Sequence, residues 1–213
     1  MAKKTATKEV GIVQLELAQI EIPIFGVSPL IMHAWSRKAK EEMLAKQMKK
    51  AKITKAAKDP DQDVEDALYR DPEGLPCFPS VAFKASAIGA SKAMDLVKTN
   101  LRQAFHIDGE MVPIFSPGYI PRQDMVRVGM GVADIRFRPE FRAWGTILPV
   151  TINTRLLSVE QLVALFDAGG FGIGVGEWRP EKDGQFGRYK VADEAEEKLI
   201  GSWVKARSKK EAA

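Results

Sequence analysis

A single cysteine, Cys77, in a chain of 213 residues excludes an internal disulfide and any zinc site built on several thiolates, and it fits a reducing compartment. Histidine is almost as scarce. With only His33 and His106, a two-histidine metal centre would need both to converge with carboxylates, and their spacing gives no sign of it. No run approaches the roughly eighteen apolar residues of a membrane span, and the opening Met1-Ala-Lys-Lys-Thr-Ala-Thr-Lys8 is basic and polar with no apolar stretch behind it. Neither secretion nor membrane insertion is expected; a cytoplasmic protein is. No Gly-Lys-Ser or Gly-Lys-Thr occurs, which removes the nucleotide P-loop and disfavours NTP hydrolysis. The acidic run Asp59, Asp61, Asp63, Glu65, Asp66 lacks the sixth-position Gly and terminal Glu of a calcium loop, so it reads as a solvated turn and helix start. No cofactor is expected.

What the chain does have is apolar material for one core. Hydrophobic residues make up 45%, and one domain over 1–213 is expected, with flexible tails at 1–10 and 205–213. The formal charge of +4 is only mildly basic, and its distribution says more. Residues 37–58 carry nine Lys or Arg against two Glu, while 59–73 are mostly acidic or neutral, so 36–75 reads as a polarised helical insert. Its lysines, Lys46, Lys49 and Lys50 among them, either supply electrostatics to a polyanion or solvate a helix that docks on a neighbour through Met43, Leu44 and Met48. A basic arm beside an acidic patch also suits pairing between copies, and a homo-oligomer is expected.

Gln14 to Phe25 places Leu15 and Leu17, then Ile20, Ile22 and Ile24, between polar residues, with a slip of phase at Ala18-Gln19 that predicts a bulged strand. Residues 36–57 carry Met43, Leu44, Met48 and Ala51 at helical spacing; Asp59-Pro60-Asp61 ends that helix, and a short one follows from Val64 to Tyr69. Phe78-Pro79-Ser80 is a helix entrance, and Phe83, Ala87, Ala90 and Met94 form the stripe of a first core helix. Strands are predicted at 104–108, 111–115, 133–138 and 142–152, the last with Trp144, Thr146, Leu148, Val150 and Ile152 on one face. Ser158 caps a second core helix, Gln161 completes a capping box, Leu162, Val163 and Phe166 face inward, and Gly169-Gly170 ends it. A glycine-rich loop leads to a last strand at 185–191 and a charged helical tail. Without the insert this is the βαββαβ order of ferredoxin-like and RNA-recognition-motif domains, an α+β fold with an antiparallel sheet and two helices on one face.

Two stretches carry chemistry. Gly170, Gly172, Gly174 and Gly176 would let backbone N–H groups approach phosphates, with Trp178, Arg179, Lys182 and Arg188 adding stacking and charge; the same run also reads as a helix cap and flexible hairpin. Residues 120–144 hold Arg122, Arg127, Arg136, Arg138 and Arg142 among Phe137, Phe141 and Trp144. On a strand Arg136 and Arg138 share one face and Ile135 and Phe137 the other, so the arginines are expected to line a groove while the apolar pair packs the core; a solvated sheet face is the alternative. His33, within Leu30-Ile31-Met32-His33, is expected to pack in a turn, and His106 to be a plain strand residue.

Three segments in order, Ile24-Phe-Gly-Val-Ser-Pro-Leu-Ile-Met32, Gly74-Leu-Pro-Cys-Phe-Pro-Ser-Val-Ala-Phe-Lys-Ala85 and Gly170 to Val191, resemble the RAMP superfamily of CRISPR effector proteins, especially the subunits that polymerise along guide RNA. In that family a strand ends in a Ser-Pro-Leu-type turn, a Pro-Gly-Ser-Ser-type entrance with a lysine opens the first core helix, and a glycine-rich loop precedes the last strand. Here the entrance lacks the family's Gly after the Lys. The resemblance implies a nucleic-acid contact at Lys84 and an RNA-recognition-motif-like fold that tracks a backbone in multiple copies. His33-Ala34-Trp35 and Gly176-Glu-Trp-Arg-Pro-Glu-Lys182 are also similar to a family of bacteriophage proteins. Together these point to a non-catalytic protein binding single-stranded DNA or RNA as an oligomer, such as a phage single-strand-binding or annealing protein. The alternatives are an RNA-binding RAMP subunit and a RAMP-type endoribonuclease using His33, the latter disfavoured because no tyrosine or second histidine lies near His33 in the chain.

Overall fold

Isoleucines at every second position make Leu17–Gly26 a strand, β1, with Ile22 and Ile24 buried and Gln19 and Glu21 exposed. The computed structural model describes residues 15–35, 37–48, 58–128 and 131–211. Along its length β1 pairs antiparallel with β8 (Gly145–Asn153), from Leu17 opposite Asn153 to Phe25 opposite Gly145. That register is unbroken, so the expected bulge at Ala18-Gln19 is absent; Leu15 and Leu17 stay exposed, and the phase is set by Ile20 to Ile24. Two short strands complete the sheet: β4 (Phe105–Ile107) flanks β8, and β9 (Tyr189–Val191) flanks β1, in the order β4-β8-β1-β9, all antiparallel.

Two helices cover one face. α3 (Ser80–Gly89) begins at the predicted entrance, and α5 (Val159–Gly172) begins at Ser158 with the predicted capping box to Gln161. Phe83 and Ala87 of α3 and Leu162, Leu165 and Phe166 of α5 meet Ile22, Leu148, Val150, Ile152 and Phe105 of the sheet in one hydrophobic cluster. Leu165 takes the buried place expected of Val163, which is half-buried. The chain therefore runs β1-α3-β4 and β8-α5-β9, and each unit is split by a strand of the other, which is the α+β architecture of the βαββαβ order. On the opposite face α6 (Glu194–Glu211) lies across β1, with Trp203 stacked on Phe25 at 6.2 Å and Ile200 buried against Gly145.

The remaining elements surround this layer of sheet and helices and add to its core, Leu101 and Ala104, Phe78, Val112 and Phe141 among them. α4 (Lys98–Ala104), which periodicity did not reveal, leads into β4. The strands predicted at 104–108 and 111–115 do not pair with each other: β4 pairs with β8, and β5 (Met111–Pro113) pairs with β3 (Cys77–Pro79). Gly109, at φ +83°, turns the chain away, and Ser80 holds the turn through its hydroxyl to the Gly109 carbonyl at 2.6 Å. β6 (Ile120–Val128) and β7 (Val132–Phe141) form a long hairpin, joined at its base by β2 (Leu30–Ile31). In the insert, α1 (Arg37–Gln47) is the described part of the helix predicted over 36–57, and α2 (Pro60–Asp66) starts at Asp59, whose carboxylate accepts from the Asp61 and Gln62 amides. α2 packs on β7, and Lys58 reaches Asp134 at 2.5 Å. The expected charged helical tail is α6, and within 205–213, where flexibility was expected, Arg207 bonds Asp71 and the Pro76 carbonyl. Residues 1–10, like Lys49, Lys50 and Ala51 of the predicted basic helix, lie outside the described residues.

Candidate nucleic-acid interface

The hairpin supplies one wall of the site. Arg122 stands opposite Arg138, and Asp124 opposite Arg136, so these residues share a face as strand geometry requires. Their burial departs from expectation at two positions. Arg138 is only 2% exposed, while Ile135, expected in the core, is 44% exposed. The cause is electrostatic: Arg138 lies 3.3 Å from Asp124 and 3.7 Å from Glu177, and Arg122 bonds both Asp124 (2.9 Å) and Glu140 (2.8 Å). A guanidinium caged by carboxylates can be buried, whereas one facing only apolar groups cannot. Burial pushes the Glu140 carboxyl upward, but its bonds to Arg122 and Arg142 outweigh this and hold it below its ordinary value.

The glycine-rich segment supplies the other wall, and its glycines have other work than the expected phosphate cradle. Gly169 and Gly170 do not end α5; they lie inside it and are buried. A Cβ on Gly169 would come within 2.8 Å of the Ser86 backbone, and one on Gly170 within 2.6 Å of the Tyr189 ring, so both glycines let α5 close on α3 and β9. Gly172 is the last helical residue and faces open space. Gly174 (φ +70°) and Gly176 (φ +77°) adopt left-handed turns, packed against Pro180 and against the Ile31 carbonyl. Nearby amides are committed internally: Gly174 donates to Gly169, Val175 to Gly187 and Glu177 to Ile31. Buried Gly170 is thus out of reach of a ligand, and Gly174 and Gly176 set the path of the chain.

That path ends by presenting Trp178. Its backbone is also left-handed, φ +54°, which a bulky residue adopts only when its surroundings impose it. Phe186 donates to its carbonyl at 3.0 Å, and Gly184 sits so close that no side chain would fit there. The indole remains 42% exposed. Arg179 follows, clamped by Glu181 through two nitrogens at 2.8 and 3.0 Å and donating to the Gly176 carbonyl.

Between the two walls lies a groove of about 730 Å³ lined by Arg127, Arg136, Arg138, Trp178, Arg179 and Lys182, with Met125, Val126 and Glu177. Six residues singled out in the sequence are thereby gathered from β6, β7 and the loop. Among the described residues, Arg127 and Lys182 meet no carboxylate at ion-pair distance, so their charges face the groove uncompensated. The other expected contacts lie elsewhere. Lys84 is tied to the Arg102 carbonyl and His106 at 3.2 Å each, beneath α3. Burial lowers its pKa. Arg122 covers the Phe186 ring at 4.7 Å, Arg142 pairs with Glu140, Arg188 is half-buried with its Nε enclosed, and Lys46 stands exposed on α1.

Glu177 is the residue sequence reasoning passed over, although it sits inside the Gly-Glu-Trp-Arg stretch. It lies 3.7 Å from His33 and 3.7 Å from Arg138. His33 lowers its pKa most, burial opposes this, and Arg138 adds to the lowering. His33 is half-exposed instead of turn-packed, and Tyr69 lies beside it after all, its hydroxyl donating to the His33 carbonyl at 3.5 Å. Burial, then Glu177, raises the Tyr69 phenol. The outer face of the main sheet carries Gln19, Glu21 and Pro23 of β1, and α6 covers its end.

No protein-family model and no curated protein matches the chain. Among solved structures it is similar to Cmr6 from Pyrococcus furiosus, with 11% sequence identity and a TM-score of 0.43, over 84% of this chain and 100% of that one. So distant a likeness transfers no role, and the function rests on the chemistry of the groove.

Proposed function

We propose that this protein is a non-catalytic single-stranded nucleic-acid-binding protein that coats its strand as an oligomer, in the manner of a phage single-strand-binding or annealing protein. One observation carries the reading: the groove places the uncompensated Arg127 and Lys182 beside a half-exposed Trp178 held in a left-handed backbone. Cations lining one groove neutralise phosphates, and an indole in the same groove stacks on a base. A base reaches the indole only when unstacked from a partner, so single strands are favoured over duplexes. Arg136, near Asp134 at 3.9 Å, contributes less, and Arg138 is taken up by its carboxylates. Self-association draws support from α1, where exposed Met43 and Leu44, with Met48 just beyond its end, accompany lysines, and from the acidic α2. The reading assigns no chemistry to His33, which faces Glu177.

The test is a titration of the purified protein with single-stranded DNA, RNA of the same sequence and duplex DNA across a salt series, with mass photometry at saturation. Two or three phosphate contacts give a logarithmic salt slope of about −1.4 to −2.1 at roughly −0.7 each. Arg127→Ala and Lys182→Ala each reduce that slope by about 0.7, and Trp178→Ala costs about 1–3 kcal/mol. Binding that ignores salt, or survives all three changes, refutes the groove. A preference for RNA over DNA selects an RNA-binding subunit of RAMP type, cleavage products an endoribonuclease, and monomers at saturation remove the oligomer.

A further inference from the structure

A second cavity, of about 340 Å³, opens on the far side of Glu177 and Arg179, which line both it and the groove. One wall is the first turns of α3, where Val81, Ala82 and Ala85 present small apolar surface and Val81 is 66% exposed. The other carries the rings of His33 and Tyr69. Flat apolar surface and aromatic rings around a slot of this size suit a planar ring, and a strand lying in the adjoining groove would have its bases within reach.

The polar groups narrow the choice of base. Glu177 is held in its charged form, so it only accepts hydrogen bonds. His33 faces one carboxylate oxygen and Arg138 the other, each at 3.7 Å, and since each oxygen carries two lone pairs this leaves accepting capacity on both. A carboxylate binds best to two parallel N–H donors. Among the bases only guanine offers two adjacent donors on one edge, its N1–H and its exocyclic amino group; adenine and cytosine pair one donor with an acceptor, and thymine and uracil set one donor between carbonyls. Arg179, fixed by Glu181, stands beside Glu177, and a guanidinium donates to the O6 and N7 acceptors of the same base. Resting on the groove reading above, we propose that this cavity receives one guanine of the bound strand, held by Glu177 along its Watson–Crick edge.

The experiment uses labelled pyrimidine 12-mers, in DNA and in RNA, carrying one central guanine, adenine or inosine, and reads affinity ratios by fluorescence anisotropy at fixed salt. A bidentate contact gives guanine about a tenfold advantage over adenine, with inosine, which lacks the amino group, between them. Glu177→Gln and, independently, Ala85→Trp, which fills the cavity from the exposed side of α3, bring the ratio to about one; circular dichroism checks that each variant folds. Equal affinity for all three probes, with salt-sensitive binding intact, overturns the guanine pocket and leaves the groove standing. A ratio that survives both substitutions overturns it as well. Failure to bind any probe instead removes the groove reading on which the pocket depends.

Discussion

Gly170 and Gly172 sit two positions apart in α5, and the structure assigns them opposite tolerance to the same added methyl group. At Gly172 a Cβ meets nothing within 4 Å and the backbone is helical, so Gly172→Ala gains the helix preference of alanine, about 0.5–1 kcal/mol. At Gly170 the new carbon would overlap the Tyr189 carbonyl and lie 2.6 Å from its Cδ2. Tyr189 cannot give way, because its ring is buried, its hydroxyl donates to Ser86, and β9 is held to β1 by three residue pairs. Overpacking of this kind costs about 1–3 kcal/mol or more, which exceeds the propensity gain. A separation of about 3 kcal/mol between the two variants corresponds to roughly 6–12 °C in melting temperature for a chain of this size. Thermal and urea unfolding followed by circular dichroism measure it. A Gly170→Ala protein melting at or above the parent refutes the packing role. Gly172→Ala should bind nucleic acid like the parent; weakened binding with the fold intact would restore the glycine run as a backbone contact.

Arg138→Ala should destabilise the protein by about 3 kcal/mol, at the low end for a broken buried pair because Arg122 still partners Asp124, and denaturant unfolding checks it. Glu140 and Glu177 both have folded pKa values below their ordinary 4.5, so their contribution is complete above that value and is lost as pH falls through the lower folded values. Unfolding curves from pH 6 down to about 2 should therefore show stability falling below roughly pH 4.5, less steeply in Glu140→Gln. Lys84→Ala should leave nucleic-acid affinity unchanged, since that ammonium is tied to the Arg102 carbonyl away from the groove; a reduced salt slope would contradict this.

Local signals settled the parts of the molecule that local physics governs. Alternating isoleucines made β1, alternating large residues from Trp144 to Ile152 made β8, the Ser158 hydroxyl and Gln161 made the start of α5, and Pro79-Ser80 the start of α3. From those four the α+β order was legible. The hairpin was half missed because β6 alternates Arg122 and Asp124 with Gln123 and Met125 and has almost no apolar face. Its inward side is made of ion pairs, which hydropathy cannot recognise.

For the site, the sequence by itself determined which residue types were available: arginines on one strand, a tryptophan and cations after a run of glycines. Tertiary structure decided which of them meet. Arg136 and Arg138 were correctly placed on one face, but the carboxylates that let Arg138 be buried come from elsewhere, Asp124 across the hairpin and Glu177 about forty residues further on. The glycines were visible as a cluster, yet whether a missing side chain admits a ligand or a neighbouring helix depends on what lies opposite, and Ser86 and Tyr189 lie opposite Gly169 and Gly170. Period and propensity are properties of neighbours in the chain. A groove, and the compensation of one charge by another, are properties of neighbours in space.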